Sequence, residues 1–155
     1  MNVIGIDPGL DGGIAYIGHY GELSVWPMPT VTIGTKRMID TYSVVDAIIS
    51  PPTPVDMVVL EDVNAGAVKS VMSAFAFGRG YGRIEGLLTA LDRPHCYVAS
   101  PTWTKAVGIT KGAKKPEHIE VARRLYPDLG PLRDGPADAL LIAHWYLTTH
   151  GRAVA

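Results

Sequence analysis

The sequence predicts an α/β fold in which a mixed five-stranded sheet is flanked by helices. Two observations carry this prediction: three strand-like segments follow one another at the start of the chain, and two more then alternate with helical patterns. With 155 residues, 47% of them hydrophobic, the chain is long enough to bury one core. We therefore expect a single domain over residues 1–155.

The first third of the chain is predicted to form an antiparallel meander and one helix. Residues 2–7 alternate around glycine like a strand, a glycine-containing turn follows, and residues 14–17 and 23–26 give two more strands. Pro27, Pro29 and Gly34 then interrupt the strand pattern. Apolar residues at helical spacing predict a helix over 42–49.

The remaining segments are predicted to alternate strands with helices. The valine-rich run 55–61 suits a central strand that is covered on both faces and parallel to a neighbour. A helix over 71–91 contains glycines that would let another backbone approach, and its aromatic residues Phe75, Phe77 and Tyr81 are interpreted as core. The order βββ-α-β-α-β-α-α-α is completed by a strand at 95–99, helices over 101–107 and 116–126, and a final helix from Pro136.

Composition excludes several kinds of protein. The formal net charge of −1 gives no global reason to expect nucleic acid, so that case must come from local clusters of charge. The one cysteine, Cys96, cannot form an intrachain disulfide, and the sequence shows neither a signal-peptide pattern nor an apolar run of membrane-spanning length. We expect a cytoplasmic protein without membrane contact. No Walker-type phosphate loop is present, so no nucleotide cofactor is expected.

Carboxylates accompany three apolar segments. Asp7 ends the first strand, Glu61 ends the valine-rich strand, and Asp138 lies in the apolar stretch 137–143, four residues after Asp134. Burying a carboxylate beside aliphatic side chains costs free energy unless a basic partner, N–H donors or a metal ion compensates. Three such placements in one small chain suggest a shared metal site.

The expected topology brings these acids together. If the strand ending at Glu61 lies beside and parallel to the first strand, Asp7 and Glu61 emerge at the same edge of the sheet. A helix that starts near Pro136 places Asp134 just outside the helix and Asp138 in its first turn. Oxygen ligands without a histidine or cysteine cluster favour Mg²⁺ or Mn²⁺ over zinc. Two such ions about 3.5 to 4 Å apart can activate water for phosphodiester hydrolysis.

Each acid also has a structural interpretation. Asp7 before Pro8 and Gly9 could simply form a turn, Asp62 rather than Glu61 could be the functional acid, and Asp138 could cap the helix start. The histidines His118, His144 and His150 are interpreted as structural and are left out of the metal site.

Basic residues cluster where nucleic acid could be held. A glycine-containing loop carries lysines that could bind the scissile phosphate or stabilise charge in the transition state, with Lys114 as the catalytic candidate. The alternative is an ordinary solvated face. The candidate DNA-binding residues are Lys105, Lys111, Lys114, Lys115, Arg79 and Arg83.

The ordered set of motifs resembles a known family. Residues 4–9 (IGIDPG), 59–61 (VLE) and 137–143 (ADALLIA) look like the RuvC-type Holliday junction resolvases of the RNase H-like superfamily, and the Ser100-Pro101 stretch before the basic loop is also similar. The short length and Gly78-Arg79-Gly80 look like the phage-encoded branch. The resemblance covers nearly the whole chain.

The resemblance implies an RNase H-like nuclease domain that is a homodimer and introduces paired nicks in four-way DNA junctions. It implies two Mg²⁺ ions per active site, for which Mn²⁺ substitutes, in a bacterial or phage-infected host cell. Asp7, Glu61, Asp134 and Asp138 match the acidic tetrad. Bacterial relatives space the last two acids three apart rather than four, and they carry a junction-opening aromatic shortly after the glutamate, where this chain has 62–64 (DVN).

Other functions remain compatible with the same residues. The protein could be a less selective nuclease for flaps, forks or RNA–DNA hybrids, or a junction-binding module without catalysis. An actin-like ATPase, suggested by residues 7–9 with Gly12 and Gly13, would need two such domains and a longer chain.

Overall fold

The architecture was obtained as a computed structural model, which describes residues 1–63 and 70–151. Within these ranges the strands and helices follow in this order: β1 (Val3–Asp7), β2 (Gly13–Ile17), β3 (Leu23–Pro27), β4 (Thr30–Ile33), β5 (Lys36–Ile39), α1 (Thr41–Ile49), β6 (Met57–Asp62), α2 (Val71–Ala90), β7 (His95–Ala99), α3 (Ser100–Ala106), α4 (Lys115–Leu125) and α5 (Asp134–His150).

The main sheet has five strands in the order β3-β2-β1-β6-β7. The β1–β2 and β2–β3 pairs are antiparallel, whereas the β1–β6 and β6–β7 pairs are parallel. This confirms the predicted mixed sheet, the N-terminal meander and the central place of the valine-rich strand. Gly5 pairs with Val59 and Ile6 with Leu60, so Asp7, the last residue of β1, and Glu61, the penultimate residue of β6, lie at the same edge of the sheet. The strand predicted to end at Glu61 ends one residue later, at Asp62.

Alternation along β1 and β6 sends side chains into two cores, one on each face of the sheet. Val3 and Val59 belong to the core that contains α5, whereas Ile4 and Leu60 belong to the core with residues of α1 and α2. All four side chains are fully buried. Asp7 continues the Val3 series and Glu61 the Val59 series, so both acids face the α5 side.

Glycine lets α5 lie directly on the sheet. A Cβ atom on Gly5 would stand 2.1 Å from the backbone oxygen of Ala139 and 2.7 Å from the backbone nitrogen of Ala143. At the start of the helix, Gly135 forms a parallel bridge with Gly12, and a Cβ there would stand 2.4 Å from the Cα of Gly12. These contacts fix the helix against β1 and the turn that follows it.

The final helix starts earlier than the sequence indicated. It begins at Asp134, so the prediction that it begins at Pro136 with Asp134 outside was wrong. Proline is tolerated in a first turn because its missing N–H would have no partner there. Asp134 and Asp138 therefore lie one helical turn apart on the same helix.

An additional hairpin, formed by β4 and β5, was not predicted. The breakers at Pro29 and Gly34 were interpreted as irregular chain, but Pro29 only precedes β4 and Gly34 supplies the turn with φ of 63°. Arg37 ties the hairpin to the β1–β2 turn, because Nη1 lies 2.6 Å from Oδ1 of Asp11 and Nη2 donates to the backbone oxygen of Leu10.

Helix α2 agrees with its predicted range, but the prediction that Phe75 belongs to the core was wrong. Phe75 is 64% exposed rather than part of the core, while Phe77 and Tyr81 are half-buried. The fully buried residues of the helix are Ile84 and Leu88, in its second half. In the described part of the chain, no helix combines the length and apolarity that crossing a membrane requires.

Candidate active site

Asp7 stands at the end of β1, where the chain turns through Pro8 and Gly9. Its Oδ1 accepts a hydrogen bond of 3.1 Å from the backbone N–H of Gly9, so the residue does form the turn that one interpretation expected. Burial and the negative charge of Asp138 raise the pKa of Asp7 to about 6, while the Gly9 N–H and Lys115 oppose the shift. A turn residue needs no second carboxylate beside it, so the turn does not explain why Asp138 lies near Asp7.

Glu61 is the acid of β6 that faces the site. Its Oε1 accepts a hydrogen bond of 3.0 Å from Nε1 of Trp103 in α3, whereas the next residue, Asp62, is exposed. Burial and, after it, the charges of Asp7 and Asp138 raise the pKa of Glu61 to about 7, against the hydrogen bonds from Trp103 and Ser100. Alternation along the strand therefore selects Glu61 over Asp62.

Asp138 reaches the same region from α5. Its Oδ1 lies 2.6 Å from Nδ1 of His118 in α4, and both side chains are largely buried, with 17% and 15% exposure. Burial raises the pKa of Asp138, while the His118 hydrogen bond and the charges of His118 and Lys115 act against that rise. This carboxylate is bound to a side chain of α4, so it is not only a cap of its own helix.

These three acids form a negative cluster that Lys115 and His118 compensate only in part. The charge of Asp138 raises the pKa of Asp7, and the charges of Asp7 and Asp138 raise the pKa of Glu61. Between about pH 4 and 7 the folded protein thus holds protons that the unfolded chain has released, and its stability falls as the pH rises through this range.

The three acids suit a hard cation, because carboxylate oxygens are its preferred ligands and because a divalent ion would relieve the repulsion between them. The side chains are not already arranged around one ion position. Among residues 1–63 and 70–151, no group of three or more histidine, cysteine, aspartate or glutamate side chains is gathered tightly enough to hold an ion as it stands.

Asp134, the fourth acid expected from the sequence, lies at the margin of this cluster. Its Oδ2 is 3.6 Å from Nζ of Lys115, and the side chain is 38% exposed. Its charge raises the pKa of Asp138. The structure thus brings Asp7, Glu61 and Asp138 together, and the role of Asp134 stays a prediction.

The candidate lysines lie on the α3–α4 connection beside the acids. Lys115 is the first residue of α4, and its charge lowers the pKa of both Asp7 and Asp138. Lys114, the expected catalytic lysine, is the exposed residue immediately before the helix. Lys105 and Lys111 are also exposed, at the end of α3 and in the loop.

Arg79 and Arg83 lie on α2, across from the β4–β5 hairpin. The guanidinium of Arg79 is 5.7 Å from the centre of the Phe75 ring, at a distance typical of a cation–π contact. Both arginines line an open cavity of about 330 Å³ that also contains Leu10 and Lys36. The two arginines are therefore placed on a basic and apolar surface of α2 and the β4–β5 hairpin.

Two side chains of the site were missed as functional candidates. Trp103 lies in the stretch after Ser100-Pro101, which was noted only for its similarity to the family, and His118 was interpreted as a structural histidine. They contact Glu61 and Asp138, respectively, and their rings meet edge to face with centroids 5.7 Å apart. The sequence gives little sign of this, because the contact depends on how α3 and α4 pack.

Comparison with solved structures identifies the architecture. The structure of Thermus thermophilus RuvC in complex with a Holliday junction substrate matches with a TM-score of 0.64 and 19% identity, covering 97% of this chain and 96% of that one. The chain has the RuvC fold. A second structure of Thermus thermophilus RuvC matches with a TM-score of 0.62 and 18% identity over 96% of each chain.

The RuvC fold recurs in a viral protein that is also similar to this chain. Fowlpox virus resolvase, in complex with substrate Holliday junction DNA, matches with a TM-score of 0.54 and 15% identity over 95% of this chain and 99% of that chain. No model of a protein family matches the sequence, and no curated protein matches it. The RuvC-type fold expected from the motifs is confirmed.

Proposed function

We propose that this protein is a metal-dependent endonuclease that nicks four-way (Holliday) and other branched DNA junctions. The observation that carries the proposal is the meeting of Asp7, Glu61 and Asp138, from β1, β6 and α5, at one edge of a sheet with the RuvC fold. Solved structures with this fold include a RuvC and a viral resolvase bound to Holliday junction DNA.

In this proposal the three clustered acids hold two Mg²⁺ ions, for which Mn²⁺ substitutes, and Asp134 contributes from the margin. Such ions supply the means to lower the pKa of an attacking water and to stabilise charge on a phosphodiester. Burial keeps the carboxylates away from bulk solvent, so their repulsion is relieved strongly when cations are present.

In this proposal the lysines bind the phosphates of the substrate. Lys115 would contact the scissile phosphate; this is supported by the effect of its charge, which lowers the pKa of Asp7 and Asp138. Lys105, Lys111 and Lys114 are exposed on the same connection and would bind the flanking phosphates. Arg79 and Arg83 would contact a further part of a branched substrate from α2.

We also propose a homodimer formed through α2. Val71, Met72 and Phe75 are 85%, 76% and 64% exposed in its first turns. Gly78 and Gly82 continue the same face, and a Cβ atom on either would meet nothing within 4 Å. Apolar side chains followed by glycines at helical spacing suit the close approach of a second copy of the helix. A dimer would supply the two active sites that paired nicking requires.

The test is cleavage of a synthetic four-way junction in Mg²⁺, compared with a fork, a flap, an RNA–DNA hybrid and linear duplex at one salt concentration, since binding depends strongly on salt. We expect symmetrical nicks in the junction that Asp7→Asn abolishes and the matched change Asp62→Asn, at an exposed acid, leaves intact.

Three outcomes would count against the proposal. Full cleavage by the Asp7→Asn variant would show that the acid cluster is not the active site. Equal cleavage of all substrates would show that the protein acts on a broader class of DNA than junctions. Tight binding of the junction without cleavage in Mg²⁺ or Mn²⁺ would indicate a binding module.

A further inference from the structure

A chain of contacts joins two of the site acids through aromatic side chains. Trp103 donates from Nε1 to Oε1 of Glu61 at 3.0 Å, and His118 is bonded through Nδ1 to Oδ1 of Asp138 at 2.6 Å. The indole and imidazole rings meet at an interplanar angle of 88°, with centroids 5.7 Å apart. The order is therefore Glu61, Trp103, His118, Asp138.

The chain of contacts draws its members from four different elements. Glu61 lies on β6, Trp103 on α3, His118 on α4 and Asp138 on α5. Trp103 is 1% exposed and belongs to the core that contains α5, so its ring has little room to move. An edge-to-face contact against a fixed indole restricts how the imidazole can rotate.

The bonding pattern assigns a tautomer to His118. In its ionised form Asp138 only accepts hydrogen bonds, so in that state the Nδ1 of His118 carries the proton that faces Asp138. Trp103 can only donate, which makes it suited to an ionised Glu61. Each hydrogen bond occupies one oxygen of a carboxylate and so fixes the direction in which the second oxygen points. The second oxygen of Asp138, Oδ2, has no hydrogen bond from the described residues.

We propose that Trp103 and His118 form a positioning pair that fixes the orientation of the Glu61 and Asp138 carboxylates for divalent-cation binding. This inference rests on the proposed function, because it concerns the same acids. The pair does not touch the substrate. Partners of metal-binding side chains typically change cation affinity or activity by about 10- to 100-fold when they are removed.

The test uses two variants that remove a donor and one that restores it. Trp103→Phe keeps an aromatic ring but loses the N–H, His118→Leu loses the donor, and His118→Asn places an amide N–H near the Nδ1 position. The matched control is His144→Leu, since His144 makes a comparable hydrogen bond of 2.8 Å and an edge-to-face contact with Tyr126, away from the acids.

Two affinity measurements apply to each variant: Mn²⁺ binding to the DNA-free protein by calorimetry, and the Mg²⁺ concentration that half-saturates junction nicking. We expect Trp103→Phe and His118→Leu to weaken both by about 10- to 100-fold. His118→Asn should recover part of the loss, and His144→Leu should leave both values unchanged. NMR of the wild-type protein should show a protonated Nδ1 on His118, together with an indole N–H signal of Trp103 that moves in Glu61→Gln.

The inference is overturned if folded His118→Leu binds Mn²⁺ as tightly as the wild type, or if it loses no more than His144→Leu. A wild-type His118 that is protonated only at Nε2 overturns it without any variant. In those cases a wild-type protein that still nicks junctions keeps the proposed function. A wild type that neither binds Mn²⁺ nor nicks overturns the proposed function and this inference together.

Discussion

Replacing Gly5 with alanine should displace the final helix and damage both stability and activity. The new Cβ would stand 2.1 Å from the backbone oxygen of Ala139, about 1.2 Å short of the closest ordinary carbon–oxygen contact of about 3.3 Å. The obstacle is backbone on a buried helix, so no side chain can rotate away. The two elements must separate by about 1 Å or one of them must distort.

The expected cost follows from what such overpacking does in cores. Forcing an extra carbon into a packed interior costs about 1 to 3 kcal/mol of unfolding free energy. For a chain of this size that corresponds to a fall of about 3 to 10 °C in Tm. Because α5 carries Asp138, a shift of about 1 Å should also lower nicking by about 100-fold.

Thermal unfolding and single-turnover junction nicking measure the two effects. The matched control is Gly130→Ala, since Gly130 is exposed and a Cβ there would meet nothing within 4 Å. We expect the control to match the wild type or to be slightly more stable, because alanine restricts the unfolded chain. A Gly5→Ala protein that melts and nicks like Gly130→Ala would refute the close approach of α5 to β1.

Three further predictions concern charge, phosphate contact and assembly. In metal-free buffer, Glu61→Gln should raise Tm at pH 8, and the gain should shrink toward pH 5. The reason is that the wild-type carboxyl has a pKa of about 7 and binds its proton again at low pH. Thermal unfolding between pH 5 and pH 8 measures this gain. Lys115→Met should lower the nicking rate by about 100-fold and Lys114→Met by much less, as single-turnover kinetics will show. Phe75→Glu should convert the proposed dimer to monomers in sedimentation velocity.

Each of these predictions has a result that contradicts it. A pH-independent gain in Glu61→Gln would mean that the charge of Glu61 is not what destabilises the fold. Equal losses in the two lysine variants would return Lys114 to the catalytic role. Tyr20→Glu, at an exposed aromatic in the β2–β3 turn, controls for added charge, and equal dissociation in this variant would rule out α2 as the contact surface.

The placement of the acids could be predicted because it depends on simple rules of strand order. Asp7 and Glu61 each follow a run of apolar strand residues, and parallel neighbours end at the same edge of a sheet. Asp138 followed from an apolar helix with a carboxylate near its start. The sheet, the order of the helices after it and the RuvC fold were predictable for the same reason, since hydrophobic patterns record which face of each element is buried.

Details that depend on packing could not be predicted in this way. Lys114 and Lys115 are adjacent in sequence, yet the start of α4 falls between them, and Lys115 is the one that pairs with Asp134 and lowers the pKa of Asp7. Trp103 and His118 gain their roles from the contact between α3 and α4, which no spacing along the chain records. The exposure of Phe75 was missed because helical spacing does not tell which end of a long helix is covered.

The contact between Gly12 and Gly135 joins two parts of the chain that are synthesised at different times. The ribosome releases β1 and its turn early, whereas α5, which covers Gly5 and carries Asp138, is synthesised more than a hundred residues later. At about 5 to 20 residues per second, the first strand waits roughly ten seconds for that cover. A nascent chain would have no complete acidic cluster during this interval, so nuclease activity would begin only after the last helix has docked.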